Sequence, residues 1–136
     1  MPAISNIVIK DGAATPVDHT FVPSTAQKGN DPAVWLEKSA GSPLGYFRIT
    51  AKVDAQVNKP SKVTIVIATP HLAVFGANCC VDQNTPQVPY TEFFNGSFSL
   101  PPGSTVQTRK DILAYAKNLL ALPLMSSMVV DLEPAY

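Results

Sequence analysis

Three stretches of this chain change character at every second residue, and that period limits the fold more than any other feature. In Phe47–Val57, Ile49, Ala51 and Val53 alternate with Arg48, Thr50, Lys52 and Asp54. In Lys62–Thr69, Val63, Ile65 and Ile67 alternate with Lys62 and Thr64. In Tyr90–Leu100, Phe94, Phe98 and Leu100 stand against Phe93, Asn95, Ser97 and Ser99. Successive side chains on a strand point to opposite faces, so these runs predict an antiparallel sheet with one apolar and one polar face. Two shorter runs, residues 4–10 and Thr15–Val22, flank an Asp11-Gly12 turn signal and predict an N-terminal β-hairpin. A polar, turn-rich segment, Pro23–Pro32, then leads to a short strand, Ala33–Leu36, around the only tryptophan, Trp35.

After Pro101-Pro102-Gly103 the period lengthens. Ser104 or Thr105 can cap a helix running to about Ala121, on which Ile112, Leu113, Ala116, Leu119 and Leu120 form one apolar stripe. Pro123 breaks that helix, and Leu124–Leu132 reads as a second, shorter one. Strands followed by helices predict a single α+β domain over residues 1–136: an N-terminal hairpin, a five-stranded antiparallel sheet and two C-terminal helices covering one sheet face. One helix pair is modest cover for so wide a sheet. An apolar face and an open sheet edge therefore predict a partner, and a two-fold dimer is the commonest arrangement.

Composition narrows the function classes. Charged residues make up 15% of the 136, and the formal net charge is zero, so any nucleic-acid binding must come from positive charge gathered on one surface. The 13 prolines fall in connections and at the helix break, which predicts rigid loops. The first ten residues lack a basic region followed by an apolar run, and no apolar stretch approaches the ~20 residues of a membrane span. A soluble, cytosolically made protein with no membrane partner is the expectation. Two adjacent cysteines, Cys79 and Cys80, are neither a disulfide framework nor a zinc pattern, so no metal or cofactor is expected.

Catalytic chemistry finds almost no support. His19 and His71, the only histidines, lie in no metal-ligand spacing and near no nucleophile signature, and read as satisfied or solvated loop residues. Phosphate-binding glycine loops and paired acidic motifs are absent. The polar sheet face carries more. Arg48, Thr50 and Lys52 share one strand, Lys62 and Thr64 the next, Phe93 and Asn95 a third. If those strands are neighbours, the cations can neutralise phosphates, Phe93 can stack on an unpaired base, and the polar side chains can bond base edges or 2′-hydroxyls. An ordinary solvated sheet face would show the same Thr, Ser and Lys. Cys79 and Cys80 lie in the long connection Pro70–Pro89, either as reduced thiols or as links between subunits. Asn95-Gly96-Ser97 matches a glycosylation sequon, read as coincidence without a secretory signal.

The C-terminal residues Leu119-Leu120-Ala121-Leu122-Pro123-Leu124 and Asp131-Leu132-Glu133-Pro134-Ala135-Tyr136, together with Tyr90–Pro101 and the order of elements, resemble the Qβ-type coat proteins of single-stranded RNA bacteriophages. The resemblance spans nearly the whole chain and is loosest in residues 1–30. It implies a capsid protein of the virion, assembled in the cytoplasm of a bacterial host. It implies an intertwined homodimer in which two sheets join into one continuous ten-stranded sheet and the helices of each copy clasp the other. Such dimers would build a quasi-equivalent icosahedral shell around a single-stranded RNA genome. The inner sheet face would bind an RNA hairpin, repressing translation and marking the genome for packaging.

By resemblance Thr50 helps form an adenine pocket flanked by Arg48 and Lys52, Phe93 replaces a base-stacking tyrosine, and Asn95 is its polar neighbour. Lys62 stands where a second pocket threonine is common and Thr64 where a lysine is common, which alters the pocket's shape and the place of its charge. Cys79 and Cys80 match a loop whose cysteines form inter-subunit disulfides. The alternative from another class is a small dimeric RNA-binding regulator that forms no shell.

Overall fold

The computed structural model describes residues 3–73 and 87–135. Among these residues six antiparallel strands lie in sequence order: β1 (Ile7–Lys10), β2 (Asp18–Thr25), β3 (Ala33–Glu37), β4 (Phe47–Asp54), β5 (Ser61–His71) and β6 (Tyr90–Leu100). Each strand hydrogen-bonds to its sequence neighbour, so the sheet is a simple meander with β1 and β6 at its edges. The β4–β5 register pairs Ile49 with Ile67 and Ala51 with Ile65, and β5–β6 pairs Ile67 with Phe94 and Val63 with Phe98. The alternation read from the sequence therefore becomes two distinct faces.

The N-terminal hairpin exists, but its second strand is Asp18–Thr25, three residues later than Thr15–Val22. The Asp11 carboxylate explains the shift. It accepts hydrogen bonds from the backbone N–H groups of Ala13 (3.2 Å) and Val17 (2.9 Å), which organises residues 11–17 as a loop. The same bonds, with His19 beside them, hold its carboxyl below the usual range. Strand β2 then serves twice. Phe21 pairs with Ile7 of β1, while Val22 pairs with Leu36 of β3, so the hairpin is continuous with the main sheet. Strand β5 is longer than expected and includes Pro70, opposite Thr91. Register with β4 starts at Arg48–Ala68, so Pro70 lies beyond the β4 pairing, near the end of the strand, where a missing N–H is best tolerated.

Two side chains tie the strands to loops. Strand β3 ends opposite Ala51, which would orphan the backbone of Val53. The Gln27 carboxamide replaces the missing strand: its Oε1 accepts the Val53 N–H at 2.9 Å and its Nε2 donates to the Val53 carbonyl at 2.6 Å. Trp35 donates its indole N–H to the Ser5 carbonyl at 2.9 Å, pinning the N-terminal segment to the sheet.

The two helices are present, α1 (Val106–Leu120) and α2 (Pro123–Ser126), the latter continuing through a π-helical turn, Ser127–Asp131. Thr105 is the cap: its Oγ1 accepts the Thr108 N–H at 3.2 Å. The π turn ends at Leu132, whose φ of 56° is left-handed. No single helix among the described residues is long and apolar enough to cross a membrane.

The expectation that these helices cover their own sheet is overturned. No residue of α1 or α2 is buried, and the substantial packing joins strand to strand or helix to helix. The core is correspondingly thin: Phe21, Ala33, Ile49 and Ala68 are the buried apolar residues among those described. The lone chain exposes 10492 Å². A compact monomer of 14.5 kDa would expose about 6,900 Å². The apolar stripe of α1 has the spacing of a core-facing helix, but the core it faces is not in this chain.

Candidate nucleic-acid interface

Strand register decides which of the sequence-predicted residues meet. Strands β4, β5 and β6 are adjacent, so Arg48, Thr50, Lys52, Lys62, Thr64, Phe93 and Asn95 all project from one face. They form successive rows across the sheet. Arg48, Ala68 and Phe93 make the first; Thr50, Val66 and Asn95 the second; Lys52, Thr64 and Ser97 the third; Asp54, Lys62 and Ser99 the fourth.

With strands about 4.8 Å apart, Arg48 and Phe93 stand about 10 Å from each other across Ala68. Phe93 is 62% exposed, an unusual position for a phenylalanine that serves only packing. Thr50 and Asn95 are separated by a single aliphatic residue, Val66. Lys62 is the outlier. It sits at the far margin between Asp54 and Ser99, two rows from Thr50, whereas Thr64 is level with Lys52. The Lys52 ammonium donates to the Asn30 side-chain oxygen, which fixes its direction across the β3–β4 end of the face.

The sequence reading missed the apolar residues of this face. The alternation that places Lys62 and Thr64 there also places Val66 and Ala68, and β3 adds Val34 and Leu36 opposite Thr50 and Arg48. The signal was parity, hidden because β5 is apolar on both parities over Ile65–Ala68. The arrangement is an aliphatic floor with a ring at one side and cations along the other. Such a surface offers packing to the planes of bases and charge to phosphates.

Charge is segregated between the faces. Every lysine and arginine within a strand, Lys10, Arg48, Lys52 and Lys62, lies on the polar face. On the apolar face the strands carry two carboxylates, Glu37 and Glu92, and no lysine or arginine. Zero net charge thus conceals a polar face on which those four cations outnumber Asp18 and Asp54, and an apolar face whose strand carboxylates meet no lysine or arginine. Both histidines lie on the apolar face, paired with acids rather than solvated in loops. His19 Nε2 is 3.4 Å from Asp11 Oδ2, and His71 Nε2 is 3.2 Å from Glu92 Oε2. Among the described residues no side-chain cluster could hold a metal ion. Cys79 and Cys80 lie outside the described residues.

Comparison with known proteins agrees with this architecture. The family model described as Levivirus coat protein matches residues 2–136. The capsid protein of Pseudomonas phage PRR1 is 30% identical over 135 residues, covering 98% of both chains. The virus-like particle of bacteriophage NT-214 contains a chain 50% identical to this one, with a TM-score of 0.94 over 99% of this chain and 100% of that one. The virus-like particle of bacteriophage ESE058 gives 30% identity and a TM-score of 0.88, over 99% and 100%.

Proposed function

The chain belongs to the levivirus coat protein family and is a capsid protein, and from that premise we propose that it dimerises, closes into an icosahedral shell and holds single-stranded RNA on its polar sheet face. The carrying observation for assembly is the surface left open by one copy. The lone chain exposes about 3,600 Å² more than a compact monomer of its mass. A standard interface removes only about 800 Å² per partner, so the excess belongs to an obligate, multi-contact assembly. The exposed stripe of α1, the apolar sheet face and the long open edge of β6 supply complementary surfaces for a second copy. Joining two copies through β6 makes one continuous sheet to which β2–β6 of each copy contribute ten strands, with the β1 strands of the two hairpins flanking its ends. The chains in the NT-214 and ESE058 particles, which share this fold, support shell formation.

The RNA reading rests on charge segregation. In a shell whose arms lie outside, the cationic face turns inward toward the genome, and polyanion binding there relieves the repulsion among Arg48, Lys52 and Lys62. Phe93, with Thr50, Val66 and Asn95 beside it, provides the place where an unpaired base of a hairpin loop stacks. Binding such a hairpin at a translation start would repress synthesis and select the genome. Disulfides between subunits through Cys79 and Cys80 belong to the same reading.

Expression in bacteria followed by negative-stain microscopy tests it directly. Closed particles tens of nanometres across, carrying nuclease-protected RNA, are the expected result. Discrete dimers that bind RNA but never close would instead identify a small RNA-binding regulator.

A further inference from the structure

The anionic end of the apolar face is built differently from the rest of it. Aliphatic residues occupy the middle, but where β4 starts and β5 ends the side chains form a belt of rings and acids. His19, Phe47, His71 and Tyr90 follow one another with ring centroids 6.2, 6.4 and 4.6 Å apart, the last pair stacked. Glu37 and Glu92 lie along the same belt, and Asp11 closes its outer end through His19. Glu37 is 7% exposed, and among the described residues the His19 ring, 4.0 Å away, is its one partner within ion-pair distance. A solvated sheet end has no need of this construction.

The helical arm carries the opposite charge. Arg109, Lys110 and Lys117 outnumber Asp111 on α1. Arg109 precedes Ile112 by three residues and Leu113 by four, so it sits on the apolar stripe itself. Its Nε–H donates to the Thr105 carbonyl at 3.2 Å, and no carboxylate among the described residues lies within ion-pair distance. A guanidinium on a stripe meant for burial requires an acid on the surface that buries it.

Geometry brings the two together. If two copies join antiparallel through β6, the Leu100 end of each lies beside the Tyr90 end of the other. The link from Leu100 to Val106 reaches at most about 20 Å, so the first turns of α1 must land within a few strands of that Tyr90 end. We infer that the belt is the seat for the first turns of α1 from a second copy, with Arg109 set against Glu92 and the stripe crossing His71 and Phe47. This rests on the dimer proposed above and adds its polar register: cationic helix start over anionic sheet end. It also gives the belt's acids, Glu37 buried and Glu92 exposed in the lone chain, a function that histidine pairing alone does not supply.

Reciprocal charge reversal tests the seat. Arg109→Glu and Glu92→Arg should each weaken the dimer roughly tenfold or more, measured as dissociation on dilution by analytical ultracentrifugation. The doubly substituted chain should regain most of the wild-type affinity. Losses that simply add in the double variant overturn the seat while leaving the dimer intact. Wild-type protein that sediments as a monomer overturns the dimer and the seat together. A photo-crosslinking residue at position 109 of the otherwise unaltered chain provides an independent readout that survives poor folding of the reversals. Linkage to the 90–92 segment of another chain supports the seat, and linkage confined to its own chain overturns it.

Discussion

The strand body and the helical arm obey the same rule, yet only one satisfies it within the chain. In the body, every alternation in sequence finds a cross-strand neighbour: Ile49 meets Ile67, Ala51 meets Ile65, and even the orphaned backbone of Val53 is closed by Gln27. In the arm, an equally regular stripe finds nothing. Leu120 remains 57% exposed and Leu113 58%. The difference teaches that pattern alone specifies which face must be buried, not what will bury it. Hydrogen-bonded registers are short-range and close inside one chain, whereas the apolar free energy of the arm is realised only by association.

Placing an acid on the stripe should break that division most severely. Leu120→Asp buries an uncompensated carboxylate twice in each dimer, and dimers and particles should be lost, at a cost upward of about 5 kcal/mol per dimer. Size-exclusion chromatography reads the result, and normal particles from this variant would mean the stripe faces solvent. Next in size, Ile49→Ala should cost roughly 2–5 kcal/mol of folding stability, because it opens a cavity within the body. Since Ile49 packs inside one chain, denaturant titrations should give the same loss at high and low protein concentration. A loss that grows on dilution would move Ile49 into the interface. The smallest effect is expected at Phe93→Ala, which should weaken RNA-hairpin binding by about 1–3 kcal/mol and leave assembly untouched. Gel-shift titration decides this, and unchanged affinity would remove Phe93 as a stacking platform.

The faces of the sheet were legible in the sequence because a period of two has one geometric meaning. The helix start was legible for a similar reason, since Thr105 after Pro101-Pro102-Gly103 has few other roles. Other features were less accessible. The later start of β2 depended on the Asp11 carboxylate organising its loop, a contact invisible to pattern. Val66 and Ala68 were overlooked on the RNA-facing side because a strand apolar on both parities carries no alternation to read. The histidines, read as satisfied or solvated loop residues, are paired with acids on strands: far apart in sequence, they share one end of one face only after the four strands β2–β5 are laid in order.

The sequence by itself determined the α+β order, the two-faced sheet, the amphipathic arm and the set of polar side chains that share a surface, because each follows from local periodicity and turn chemistry. Tertiary structure alone decided which residues stand level across strands, so that Val66 rather than Lys62 separates Thr50 from Asn95. It also decided that the strand lysines and arginine all gather on one face and that the arm leaves its own sheet bare. Those outcomes depend on register and on contacts between distant segments, where a shift of one residue exchanges the faces and no nearest-neighbour rule applies.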